Sequence, residues 1–154
     1  MLFHRETVGG DADWQVAQQV AEESITLLKN DNNILPINLN QPPKRIVVTG
    51  FTSNSITCLC GAWTVSWQGA PNDMAFRQRA RFKTIAEAIR AVASGWIVET
   101  FDGVLQDANA ADYGAALAAA RDADYAIVAL GERPHAEGNY NIDNLYDDII
   151  ICQQ

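Results

Sequence analysis

The chain is poor in basic residues: 11 Lys and Arg stand against 19 Asp and Glu, a formal net charge of −8 over 154 residues. A surface of that sign cannot displace counterions from a phosphate backbone or meet anionic headgroups, so neither nucleic acid nor a membrane is expected as a partner. Long hydrophobic runs are missing. None approaches the roughly 20 residues that span a bilayer, and the start Met1-Leu2-Phe3-His4-Arg5-Glu6 lacks the apolar stretch of a signal peptide. Cysteine is scarce: Cys58, Cys60 and Cys152 form no Cys-x-x-Cys pair and no disulfide framework, which argues against a zinc site and leaves the redox compartment open. There is no G-x-G-x-x-G after the run that ends at Gly50, no G-x-x-x-x-G-K-[ST] and no G-x-S-x-G. A dinucleotide site, a triphosphate site and a hydrolase nucleophile elbow are therefore unsupported.

What is present is an ordinary globular composition, 48% hydrophobic and 19% charged, at a length that suits one domain with a real core. Trp14, Ala17, Val20, Ala21, Ile25 and Leu28 recur at helical spacing, predicting a helix over 13–30 with Asp13 as its N-cap and the Asn30-Asp31-Asn32-Asn33 cluster as its stop. Gln41-Pro42-Pro43 marks a loop, and Arg45 to Gly50 reads as a buried strand. From Phe51 to Arg81 little helical period is visible. Thr84-Ile85-Ala86-Glu87 is a capping box opening a helix whose buried stripe is expected at Ile85, Ala88, Ile89 and Val92, with Gly95 as its stop. A strand over Trp96 to Phe101, an alanine-rich helix from Asn109 to Arg121 with Asn109 or Asp112 capping, and a buried strand over Tyr125 to Leu130 complete the series. Alternating strands and helices predict a mainly parallel sheet with helices on its faces, an α/β fold. Three strands leave edges that a complete domain would cover, so a truncated domain is expected.

Two stretches carry the chemistry. Gly131-Glu132-Arg133-Pro134-His135-Ala136-Glu137 follows the last strand, and loops at that end of an α/β sheet bind ligands. Cleaving a glycoside takes a proton donor at the leaving oxygen and a second carboxylate opposite it. Glu132 and Glu137 are the acids best placed, though on one short loop they approach a sugar from the same side. His135 could serve as a base or bind a sugar hydroxyl, or simply face solvent. In Gly61-Ala62-Trp63-Thr64-Val65-Ser66-Trp67-Gln68-Gly69, spacing leaves Trp63 and Trp67 open between core packing and a ligand face. Their setting beside Gly61, Gly69 and Pro71 favours a flat surface for sugar rings, with Gln68 adding a hydrogen bond to a hydroxyl.

In this order, the segments resemble the second, α/β-sandwich domain of glycoside hydrolase family 3, the β-glucosidase and exo-β-glucanase family. Glu22 to Pro36 resembles the stretch leading out of that family's catalytic barrel. Cys60 to Gly69 is similar to its Gly-Gly-Trp-Thr…Trp-Gln-Gly signature, with Ala62 in place of a glycine. Residues Gly131 to Glu137 resemble the loop that brings the acid/base carboxylate over the barrel mouth. Tyr140-Asn141 departs from the Gly-Asp of close relatives, and the segment after Leu145 lacks the Pro-rich, Gln-containing start of the next helix.

The resemblance implies a partial three-layer α/β/α sandwich with a flavodoxin-like order of elements, incomplete at its C-terminus. Residues 1–12 would be the remnant of a linker from a missing (β/α)8 barrel, and 13–154 the truncated domain. It implies a retaining hydrolase of terminal β-linked glucosyl residues, with Glu137 as general acid and then general base, Trp67 lining the aglycone-side subsite, and Trp63, Gln68, Glu132 and His135 as further sugar-binding candidates. The nucleophilic aspartate would lie on the barrel, so the isolated chain is expected to be inactive. The implied partners are a β-glucoside or oligosaccharide and the barrel. No cofactor or metal is implied, and the family suggests secretion. The alternative is a non-catalytic α/β module in which Trp63 and Trp67 dock a glycan or a protein.

Overall fold

The computed structural model describes residues 9–73, 82–103 and 112–137, which fall into two compact units, Met1–Asn38 and Leu39–Gln154. The first unit holds helix α1 (Asp11–Ser24). Its start differs from expectation. Gly10 is the N-cap, while the Asp13 carboxylate accepts from the backbone N–H groups of Gly9 (2.9 Å) and Gly10 (3.0 Å), an acidic group set against the positive end of the helix dipole. The helix also stops early. Ser24 Oγ donates to Ala21 O at 2.8 Å and Ile25 turns extended, leaving Ile25 and Leu28 outside the helix. The expected apolar stripe is real as a pattern, but no residue of α1 is buried, and Leu28 is 92% exposed. Asn30 holds a tight turn beyond it: its carboxamide donates to Leu35 O (2.9 Å) and accepts from Leu35 N (3.0 Å).

Among the described residues the second unit is built on three parallel strands, β1 (Arg45–Thr49), β2 (Ile97–Phe101) and β3 (Tyr125–Val128), in the order β2-β1-β3. Central β1 carries the β-branched run, and Ile46, Val47 and Val48 are fully buried. Registers are fixed at Ile46↔Val98 and Ile46↔Tyr125. β3 differs from the buried strand expected: its residues alternate, with Ala126 and Val128 exposed, because only the face that carries Tyr125 and Ile127 packs on the core around Ile46 and Val48.

Between the strands run α2 (Ile56–Cys60), α3 (Ile85–Val92) and α4 (Tyr113–Arg121). The capping box at α3 forms as expected, with Glu87 N donating to Thr84 Oγ1 (3.1 Å) and Thr84 N to Glu87 Oε2 (2.9 Å). Its buried face is shifted from the expected stripe. Ala86, Ile89 and Ala93 pack on Ile46 and Val48, joined by Trp96, Val98, Tyr125 and Ile127, whereas Val92 is 66% exposed. Small alanines win these positions because they let the helix backbone approach the sheet. Helix α4 packs against β1 and β2 with Ala116 buried. Asp112 is its N-cap residue, but its carboxylate turns instead to the N–H groups of Asp102 and Gly103. Asn109 lies outside the described residues.

The step from β1 to β2 and the return past β1 to β3 reverse direction, so β1 and β3 flank the topological switch point, where such sheets open a crevice beyond their C-terminal ends. Both candidate loops leave from there.

Candidate functional site

The path out of β1 is set by contact with β3. Gly50 sits at φ +101°, and a Cβ there would collide with Ala129 O, so only glycine fits. Ala129 N donates to Thr49 O (2.8 Å) and Thr52 Oγ1 to Ala129 O (2.9 Å), tying the start of one loop to the start of the other. The chain then makes a 3-10 turn over Phe51–Asn54 and the short helix α2, local order that the sequence pattern did not reveal.

Asp73 holds the beginning of α2. Its carboxylate accepts from Thr57 Oγ1 (2.6 Å), Thr57 N (2.8 Å), Ile56 N (3.2 Å) and Ser55 Oγ (3.4 Å). Burial alone would raise this carboxyl, but the hydrogen bonds from Thr57, Ile56 and Ser55 outweigh it and hold Asp73 below the usual carboxylate range. Sequence reasoning missed Asp73. The only local signal was Ser55-Ile56-Thr57, the polar start of a helix. At the other end of α2, burial, and then the Asp73 charge, push the Cys60 thiol up. Cys58 and Cys60 are free thiols, and Cys152 lies outside the described residues.

Beyond α2 the tryptophan turn is closed by its own backbone and hydroxyls. Trp63 N donates to Trp67 O (3.1 Å), Gly69 N to Ser66 O (3.0 Å), Ser66 Oγ to Gly69 O (2.5 Å) and Thr64 Oγ1 to Cys60 O (3.0 Å). Trp63 and Val65 adopt left-handed φ values of 58° and 70°, a conformation that bulky residues rarely take and that costs on the order of 1–3 kcal/mol each. The turn thereby presents its aromatic groups outward. Trp63 is 68% and Trp67 46% exposed, so core packing is not their setting among the described residues.

The loop after β3 comes to this turn. Trp67 Nε1 donates to Glu137 Oε2 at 3.2 Å. Gln68 Nε2 donates to Ala136 O at 2.8 Å, and Gln68 Oε1 accepts from Ala136 N at 2.9 Å. Glu132 and His135 face each other instead, with His135 Nε2 3.7 Å from Glu132 Oε2 and His135 Nδ1 3.0 Å from Arg133 O. The structure thus joins Trp67 to Glu137, turns Gln68 toward the backbone, and sets Glu132 and His135 as a separate pair. Glu137 is exposed and sits at φ 30°. Tyr140-Asn141 lies outside the described residues. Among the described residues no three His, Cys, Asp or Glu side chains converge as a metal site, and no helix is long and apolar enough to cross a membrane.

Residues 25–148 match the model of the glycosyl hydrolase family 3 C-terminal domain. The chain belongs to that family. It is 34% identical to a lysosomal beta glucosidase of Dictyostelium discoideum over 154 residues, 97% of this chain and 19% of that protein. Among solved structures, the exo-1,3/1,4-beta-glucanase (ExoP) of a Pseudoalteromonas species superposes with a TM-score of 0.61 at 26% identity, covering 92% of this chain and 15% of that one. A mutant of the same glucanase gives 0.62 at the same identity and covers 19% of that chain. This family 3 chain therefore spans about a fifth of the length of these relatives. The parallel sheet with flanking helices is the architecture expected of the family's α/β sandwich.

Proposed function

We propose that this chain supplies the acid/base half of a retaining β-glycosidase active site that hydrolyses terminal β-linked glucosyl residues. The observation that carries this reading is the hydrogen bond from Trp67 Nε1 to Glu137 Oε2. It joins an aromatic surface suited to a sugar ring with a carboxyl group suited to proton transfer, from two loops 70 residues apart in sequence.

In the reading, an aspartate on a (β/α)8 barrel attacks the anomeric carbon while Glu137 gives its proton to the glycosidic oxygen. The C–O bond breaks, the aglycone leaves as the alcohol, and a covalent glycosyl-enzyme forms. Glu137, now a carboxylate, takes a proton from water as that water attacks the anomeric carbon and releases the aspartate. The two carboxyl groups must then stand roughly 5–5.5 Å apart, which requires a segment outside these 154 residues to be docked over the exposed Glu137. Residues 1–12 act as linker to that barrel and 13–154 belong to the α/β domain. Alone, the chain does not turn over substrate. Trp67 and Trp63 form the aromatic subsite, with Glu132 and His135 as further sugar-binding residues. A family 3 relative named as lysosomal supports a place outside the cytosol, in secretion or in a lysosome-like compartment.

The test is Glu137→Gln in the full-length protein. Hydrolysis of an unactivated disaccharide should fall by ~10²–10⁴-fold, the range of general acid–base catalysis, and that of a dinitrophenyl glucoside, whose leaving group needs no proton, far less. Equal losses on both substrates, or none, would remove Glu137 from the role. The exposed Trp63 favours one rival, a binding module. Sugar-induced tryptophan fluorescence changes without turnover by the full-length protein would support it.

A further inference from the structure

We infer that Gln68 is a positioning residue that sets the acid/base carboxyl through the backbone of Ala136 and does not act on the sugar. The inference rests on the reading of Glu137 as the acid/base.

Three consecutive residues of the tryptophan turn meet the loop after β3 in reverse order. Trp67 reaches Glu137, Gln68 reaches Ala136, and Gly69 lies against Pro134. The middle contact has two points: one carboxamide satisfies both the C=O (2.8 Å) and the N–H (2.9 Å) of Ala136. Ala136 is only 9% exposed, and backbone polar groups so placed need partners. No strand or helix among the described residues includes 131–137, so the pairing that a sheet ladder gives other segments comes here from a side chain.

The peptide held in this way leads directly into Glu137, whose φ of 30° is a conformation that an L residue does not hold without support. A clasp one residue upstream fixes where the Glu137 side chain starts. Gln68 thus gives one N–H of its amide to Ala136 O and its carbonyl oxygen to Ala136 N–H.

Gln68→Met in the full-length protein keeps the length of the side chain and removes both hydrogen bonds. On an unactivated disaccharide kcat should fall ~10–100-fold, as for a displaced catalytic group, with KM little changed, and the dinitrophenyl glucoside should lose several-fold less. In the same variant the peptide containing Ala136 should exchange its amide hydrogens ~10-fold faster, the loss expected of one protecting hydrogen bond. Gln68→Glu keeps the acceptor for Ala136 N but not the donor to Ala136 O. With a carboxylate oxygen set against Ala136 O in its place, it should show the same leaving-group-selective kcat loss as the Met variant, and it serves if that variant does not fold.

A rise in KM with kcat unchanged on both substrates would make Gln68 a sugar contact and overturn the inference. So would unchanged exchange at Ala136. Glu137→Gln run in parallel separates the two readings. If it shows no dependence on the leaving group, the acid assignment fails by itself, whereas a selective Glu137→Gln loss beside a non-selective Gln68→Met loss overturns the positioning role alone.

Discussion

Gly69 packs so closely on Pro134 that a Cβ at Gly69 would lie 2.5 Å from Pro134 Cβ. Gly69 also sits at φ +84°, where an L side chain is strained. Gly69→Ala should therefore loosen the joint between the two loops at a cost of about 1–3 kcal/mol, the sum of strain and overpacking. Hydrogen exchange in the peptides covering 61–69 and 131–137 should rise together. Unchanged exchange in both would mean that the close approach does not hold in solution.

Trp67 offers Glu137 a single donor, so Trp67→Phe separates the N–H from the aromatic face. A hydrogen bond at this exposed site is worth about 1 kcal/mol, and on the proposed reading hydrolysis of a disaccharide by the full-length protein should drop several-fold. Trp67→Ala also loses the stacking surface and should fall further. Identical rates in the wild type and Trp67→Phe would sever the proposed link between indole and acid.

Asp73 gives a signed pH dependence. Its carboxyl is held low in the folded chain by the hydrogen bonds from Thr57, Ile56 and Ser55 acting against burial. The unfolded state therefore binds the proton more readily. The stabilisation is complete above the unfolded value of about 3.9 and is lost as pH falls through the lower folded value. Asp73→Asn should destabilise the fold at neutral pH by about 1 kcal/mol, the solvent-screened worth of weakened charge-assisted hydrogen bonds, and the thermal midpoint should fall accordingly. The gap to the wild type should close progressively below about pH 4, the ordinary carboxylate range. A gap that stayed constant from about pH 6 to about pH 2, on the scale of carboxylate titration, would rule out the charge as its source.

Thr84 is buried and makes three hydrogen bonds to two residues: its Oγ1 accepts from Glu87 N, its own N–H donates to Glu87 Oε2, and its Oγ1–H donates to Asn54 Oδ1 at 3.1 Å. Thr84→Ala should cost about 1–2 kcal/mol by thermal unfolding, as for loss of a helix cap. Thr84→Ser should recover most of it. Failure of the serine to do so would shift the effect from the hydroxyl to the methyl.

The strands were legible because β-branched runs such as Ile46-Val47-Val48 have few alternatives, and α3 because its capping box is a local signal. Helix α2 was not legible. Five residues carry no period, and Asp73 completes its start from 13 residues beyond its end. The two site loops could be read as loops after strands, but their meeting depends on β3 lying beside β1, which the order along the chain does not state. For the same reason the Gln68–Ala136 hydrogen bonds were not legible: a backbone partner 68 residues away leaves no mark in a local window. The α1 stripe shows the reverse case, a clear pattern whose helix has no buried residue.

The pairing Thr49↔Val128 sets the launching points of both loops, and a strand advances about 3.3 Å per residue. Sliding β3 by two residues would keep every side chain on its proper face, yet would start the second loop about 6.6 Å out of step, more than twice the length of either Gln68–Ala136 hydrogen bond. The core resists that slip, since Ala123 or Ala129 would take the place of Tyr125 or Ile127 against Ile46 and Val48, and so does the close fit of Gly50 on Ala129. The Gln68 clasp adds to that resistance, so the segment that carries Glu137 also helps to hold the alignment of the sheet from which it grows.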